Sequence, residues 1–135
     1  SAGLMQKCAQ MIAQYIKDWE VIEYASHTKK DVPSGTVREL LSQLPARTTD
    51  VTNASIEDQR IGLVQARGAT INGHHVHALR LPSFVLGVDV VFGYADETLT
   101  IRQNAGNGAR PYVSGALRAI EQVTQLVGLQ RGLQY

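Results

Sequence analysis

"GVDVVFGYADETLTIRQ", Gly87 to Gln103, holds two runs rich in β-branched and aromatic residues, separated only by Ala95-Asp96. That spacing suits a two-residue hairpin turn between two strands. Upstream, "IGLVQARGATI" and "HHVHALRL" flank Asn72-Gly73, whose tolerance of positive φ suits a second hairpin. The second half of the chain therefore reads as a meander. "VDVVFG" is apolar at nearly every position, so its second face also needs a cover. A second subunit is one source of that cover for Val88, Val90, Val91 and Phe92.

Helical patterns bracket these strands. Leu4, Cys8, Met11, Ile12, Tyr15 and Ile16 recur at the spacing of an amphipathic helix. "WEVIEY", Trp19 to Tyr24, has the content of a strand. Val37, Leu40, Leu41 and Leu44 form one helical face, which Pro45 closes. "VSGALRAIEQVTQLV" returns to helical periodicity through Val113, Leu117, Ile120, Val123, Thr124 and Val127. The polar "ARTTDVTNASIEDQ" reads as a loop, and its Asn53-Ala54-Ser55 as an accidental glycosylation sequon. The order is roughly α-β-α-β-β-β-β-α. It predicts an α+β domain: a mostly antiparallel or mixed sheet with helices on one face and the other face used for oligomerisation.

Composition narrows the function classes. A chain of 135 residues is most simply one domain, with ordinary hydrophobic (44%) and charged (19%) fractions. A net charge of +1 gives no global field for nucleic acid or an anionic membrane, so neither is expected as a partner. Any anion site must be built locally. The single cysteine, Cys8, leaves no internal disulfide and fits a reducing compartment. With no apolar run near the ~20 residues of a membrane span and no signal peptide, a cytoplasmic location is expected. The chain opens on "SAGLMQKCAQ", without an initiator methionine and on the start of a helix, so it reads as a piece of a longer protein.

The local anion site is sought in "KKDVPSGTVRELLSQL", Lys29 to Leu44. Pro33 fixes its own φ and pushes Val32 extended. Ser34 or Thr36 suits the N-cap of the following helix, and Gly35 lets a ligand approach the backbone without a Cβ in the way. Unpaired N–H groups and the positive dipole end of that helix attract a carboxylate or phosphate, while Lys29 and Lys30 add full charges. Taken alone, a good helix start beside a solvated lysine loop explains the same residues.

The wider sequence shifts that balance. "IEYASHTKKDVPSGT" resembles the substrate-binding loop of the dihydrodipicolinate reductase family, roughly E-x-H-H-x-x-K-x-D-A-P-S-G-T. "VHALRLPSFVLGVDVVFGYADETLTIRQNA" and "SGALRAIEQV" resemble later segments of the same family, in the right order. The resemblance implies the C-terminal, substrate-binding and oligomerising domain, residues 1–135, of a two-domain enzyme of lysine and diaminopimelate synthesis. It implies NADPH or NADH bound by an N-terminal Rossmann domain outside this chain, a small dicarboxylate substrate, and a homotetramer or dimer. Within the chain "GNGARPYVSG" has the wrong glycine spacing for a dinucleotide fingerprint. By the same resemblance, Ser34, Gly35 and Thr36 would hold one carboxylate and Lys29 would be the proton donor or electrostatic stabiliser. Arg110 is a candidate for the second carboxylate, although the alignment there needs an inserted residue.

One departure matters. The family's adjacent histidine pair falls at Ala25 and Ser26, neither of which titrates. His27 lies one residue beyond, as a shifted imidazole or, the reading we favour, a solvent-exposed loop residue. The loss leaves open a relative acting on another imine or amino acid, or a binding or assembly module without chemistry. His74, His75 and His77 have the composition of a metal cluster but lack a nearby cysteine or clear carboxylate, so no metal is expected. Lys30 reads as a solvated charge, and Arg80 and Arg102 as members of structural ion pairs or interface bonds.

Overall fold

The computed structural model describes residues 1–46 and 61–129, so the segment from Arg47 that reads as a loop, with its sequon, lies outside the described residues. Among the described residues, three helices, α1 (Ala2–Ile12), α2 (Gly35–Gln43) and α3 (Arg110–Gln122), accompany five strands. These are β1 (Asp18–Ala25), β2 (Ala69–Ile71), β3 (His74–Arg80), β4 (Leu86–Tyr94) and β5 (Glu97–Ala105). The strands form one mixed sheet in the order β2-β3-β1-β4-β5, the α+β architecture that the sequence predicts.

Both hairpins form where the turn residues place them. Asn72 and Gly73 take φ of 52° and 79° between the paired residues Ile71 and His74. Asp96 takes φ of 66° between Tyr94 and Glu97. The meander itself is interrupted. β1 lies between β3 and β4, parallel to the first and antiparallel to the second. The central slot gives β1 backbone partners on both edges and buries Trp19, Val21 and Ala25. The first expected strand also shortens. Val64–Arg67 is a 3-10 turn, and Gly68 at φ 74° ends it where a Cβ would collide with the Val76 carbonyl.

Alternation along the strands sorts the two faces. Val88, Val90 and Phe92 are fully buried in one core with Trp19, Val21 and the inner sides of α1 and α2. Three of the four residues expected to need a second subunit are thus covered by the chain's own helices, and only Val91 lies on the opposite face. That second face carries Glu20, Tyr24, Asp89 and Arg102 beside half-buried Ile22 and Val91.

The helices match their patterns unequally. Val37, Leu40, Leu41 and Leu44 are all buried, as the α2 pattern requires. In α1 the inward face is Met5 and Ala9, continued by Ala13 beyond its end; of the expected stripe Ile12 and Ile16 pack partly against the core, whereas Leu4, Met11 and Tyr15 are exposed. The small Ala9 and Ala13, both fully buried, let this segment sit close against its neighbours. The helix ends at Ile12, and turns carry Tyr15 and Ile16. In α3 the predicted stripe exists, but Val113, Leu117 and Ile120 stand exposed. Among the described residues, α1 and α2 supply the helical side of the core.

Candidate functional site

The site begins at an exception in β1. Trp19, Val21, Glu23 and Ala25 alternate onto the buried side, so a carboxylate occupies an apolar register with no exposed surface. Glu23 accepts the Ser34 N–H through Oε1 at 2.8 Å and an Arg80 Nη2–H through Oε2 at 2.7 Å. The same Arg80 nitrogen donates to the Asp31 carbonyl at 2.7 Å. Two neighbouring strands thereby hold the chain that enters α2, which includes a cis Val32–Pro33 bond.

Ser34 is the N-cap of α2, with extended backbone at φ −63° and ψ 163°. Its hydroxyl accepts the Val37 N–H at 3.4 Å, and its carbonyl accepts the first helical bond, from Arg38, at 2.9 Å. With Ser34 and Val37 engaged, the N–H groups of Gly35 and Thr36 remain as the unpaired donors of this first turn among the described residues. Both residues line a cleft of about 680 Å³ bounded by the start of α1, the end of β5 and the first turns of α3. Its volume suits a small ligand, for which pockets run roughly 300–1,000 Å³.

Positive charge gathers beside this turn. Lys29 Nζ lies 2.7 Å from Asp31 Oδ1, and the Arg38 guanidinium lies 3.9 Å from Asp31 Oδ2. The Lys29 hydrogen bond is the main cause holding the Asp31 carboxyl below the usual carboxylate range. Arg38 also donates to the Pro33 carbonyl at 2.6 Å. Lys7 and Arg118 add cationic side chains to the cleft wall, with Glu39 as an anionic member. The arrangement can hold an anion on two backbone amides with cations at its margin.

The expected site residues separate into groups. Gly35 and Thr36 line the cleft. Ser34 is 2% exposed, its amide donated to Glu23 and its hydroxyl oxygen accepting the Val37 N–H, so it caps the turn from beneath the surface and the direct contact expected of it falls to its hydroxyl proton alone. Lys29 is half-buried beside the turn, outside the cleft wall, and Lys30 is exposed. His27 is exposed in the turn between β1 and Lys29, where Ser26 and Thr28 hydroxyls lie 2.9 Å apart. Arg110 opens α3 and is exposed, also outside the wall. Sequence reading missed Glu23, Arg38 and Arg118. A carboxylate in the apolar register of a strand was the available signal for Glu23.

The remaining polar clusters lie outside the cleft wall. Arg102 clasps Asp89 with bonds of 2.7 and 2.5 Å, and the Tyr24 hydroxyl adds a third at 3.0 Å. Arg102 draws the Asp89 carboxyl below its ordinary range against the opposing effect of burial, and Tyr24 assists. Burial and the Asp89 charge raise the Tyr24 phenol, and Asp89 raises the Arg102 guanidinium. Burial pushes the Glu20 carboxyl up, but Arg67 and His77, the latter at 2.8 Å, outweigh it and leave it lowered. His74 stacks on Trp19 and lies 3.0 Å from the Pro45 carbonyl. Among the described residues no group of three His, Cys, Asp or Glu side chains is arranged to hold a metal, and no helix is long and apolar enough to cross a membrane.

Comparison with known proteins places this geometry. A 4-hydroxy-tetrahydrodipicolinate reductase of Geobacillus thermodenitrificans is 39% identical over 134 residues, covering 99% of this chain and 50% of that protein. The enzyme of the same name from Bacillus licheniformis is 38% identical over 133 residues, covering 98% and 49%. A solved structure described as dipicolinate-bound dihydrodipicolinate reductase from Paenisporosarcina sp. TG-14 superposes with a TM-score of 0.81 at 31% identity, over 98% of this chain and 49% of that one. The chain thus spans about half the length of the relatives it matches. The family described as dihydrodipicolinate reductase, C-terminus, matches residues 1–133, and this chain belongs to it.

Proposed function

We propose that this chain is the C-terminal, substrate-binding domain of a two-domain cytoplasmic 4-hydroxy-tetrahydrodipicolinate reductase in lysine and diaminopimelate biosynthesis. The observation that carries the reading is the pair of unpaired amides, Gly35 and Thr36, opening from a helix N-terminus into the cleft. The similar protein described as dipicolinate-bound, dipicolinate being a planar dicarboxylate, adds support.

In this reading one substrate carboxylate sits on the Gly35 and Thr36 N–H groups, with the Thr36 hydroxyl as a further donor. The Lys29 Nζ exchanges its contact with Asp31 for the anionic substrate and delivers the proton that balances reduction. Arg110 is the proposed partner of the second carboxylate, and His27 the alternative proton source. The residues present do not fit a dinucleotide. Gly106 and Gly108 follow β5, an antiparallel edge strand, and lack the third glycine of the fingerprint. NADPH or NADH, the hydride source, is therefore assigned to an N-terminal Rossmann domain beyond these residues. The second face of the sheet is the proposed subunit contact of a homotetramer or dimer.

A second reading, reduction of a related imine, is favoured by one observation. Ala25 stands in a fully buried position at the end of β1, and Ser26 is hydrogen-bonded within its own turn, so neither replaces an imidazole. Titration of pyridine-2,6-dicarboxylate against the full-length protein, followed by amide chemical shifts, tests the proposal. Shifts centred on Gly35 and Thr36, with NADPH- or NADH-dependent turnover of hydroxytetrahydrodipicolinate, support it. Absence of shifts at millimolar ligand refutes the binding site, and turnover of another imine alone selects the second reading.

A further inference from the structure

Glu23 and Arg80 take no part in the chemistry proposed above, yet they hold the chain that forms it. We infer that this buried pair is a positioning device that sets the direction of the Gly35 and Thr36 amides toward a bound carboxylate; the inference rests on the proposed dicarboxylate site.

Three observations carry it. Glu23 has no exposed surface and uses both oxygens, one on the Ser34 N–H at 2.8 Å and one on Arg80 at 2.7 Å. Arg80 reaches past it to the Asp31 carbonyl at 2.7 Å, so both ends of the Asp31–Ser34 segment are tied to the sheet. The Ser34 N–H is thereby withdrawn from any ligand, and the donors left to the cleft are the next two. Charge follows the same logic. A lone carboxylate behind this helix N-terminus would oppose an incoming anion, and Arg80 cancels that charge at contact distance. Arg80 thus fixes the loop and removes the repulsion that Glu23 alone would create.

The test uses the full-length protein with two variants, Glu23→Gln and the double change Glu23→Leu/Arg80→Met. The double change removes both charges together, the type of replacement that buried ion pairs tolerate, but leaves the Ser34 N–H and Asp31 carbonyl untethered. It is expected to weaken pyridine-2,6-dicarboxylate binding and raise KM at least tenfold, with kcat within threefold and cofactor affinity unchanged. Glu23→Gln keeps an oxygen for the Ser34 N–H and is expected to lose less, about threefold. Hydrogen exchange of the Ser34 amide, which Glu23 protects, should speed at least tenfold without ligand in the double variant relative to amides of β4. Wild-type binding and exchange in a folded double variant overturn the inference, as do losses that merely follow the melting temperatures of the two variants. If the double variant does not fold, unchanged affinity in Glu23→Gln together with unchanged exchange at Ser34 overturns it. Should the wild type itself not bind the dicarboxylate, the functional proposal fails, while the exchange measurement still judges the tether.

Discussion

Gly35→Ala should move stability and ligand affinity in opposite directions. Gly35 is the first residue of α2 and its φ lies outside the left-handed region, so alanine fits the backbone without strain. A Cβ built there meets only the Arg38 guanidinium, at 3.9 Å, an ordinary contact with the end of a flexible side chain. Replacing glycine where the native conformation is compatible stabilises by about 0.4–1 kcal/mol, chiefly through the unfolded chain. For the two-domain protein proposed above that is roughly 1–4 °C in Tm. The same methyl group projects beside the amide that faces the cleft. If it keeps a carboxylate from that N–H, one charge-assisted hydrogen bond is lost, worth about 1.5–3 kcal/mol. At about 1.4 kcal/mol per tenfold, dicarboxylate affinity should fall roughly 10- to 150-fold. Calorimetric titration with pyridine-2,6-dicarboxylate and a thermal scan of the same sample read both effects. A stabilised variant that binds as tightly as wild type would show that the ligand does not use this amide. A destabilised one would refute the open space assigned around Gly35.

Two further outcomes follow from named contacts. Lys29→Ala should lower kcat/KM more than a hundredfold in the full-length enzyme, because a charged contact of about 1.5–3 kcal/mol and a general acid worth about 10²–10⁴-fold leave together; His27→Ala should lose less than tenfold, and steady-state kinetics showing the reverse order would move the proton source to the imidazole. Asp89→Asn should lower stability at neutral pH by about 1–3 kcal/mol, the smaller end of pair-breaking because Arg102 is 60% exposed and returns to water. The Asp89 carboxyl is depressed in the folded state, so its contribution is present above the ordinary carboxylate pKa of about 4 and fades as pH falls through the lower folded value. Urea unfolding at pH 7 and pH 3 should therefore show the gap between wild type and variant narrowing in acid, and a gap independent of pH would contradict the assignment.

The legible parts of the fold were those governed by local chemistry. Asn72-Gly73 and Asp96 declared their turns because few residues accept positive φ, and α2 declared itself through one clean stripe ended by Pro45. Strand order was not legible, because nothing local tells β4 whether β3 or β1 lies beside it. That choice depends on which pairing buries Trp19 and Val21 against Val90 and Phe92. α1 misled for a related reason. It carries two apolar stripes, and the larger side chains, Leu4 and Met11, advertise the wrong one, while packing selects the face with Ala9. Gly35 and Thr36 were legible because a Pro-Ser-Gly-Thr run writes a helix start directly. Their selection over Ser34 was not, since it depends on Glu23 arriving from a distant strand.

The last step joins those two facts. Ser34 looks, in sequence, like the best anion donor of its turn: it offers a hydroxyl and an amide at a helix start. Packing turns the amide inward onto Glu23 and sets the hydroxyl oxygen on the Val37 N–H, and in doing so gives the turn a rigidity that a solvated loop would lack. A ligand site made of backbone amides has no rotamers of its own, so its precision is inherited from whatever fixes the backbone. Here the fixing groups are a cap, a buried carboxylate and an arginine from the next strand. The side chains that resemble a binding site are therefore in part its foundations. In the proposed function the first carboxylate meets the two amides of this turn that have no backbone or side-chain acceptor among the described residues.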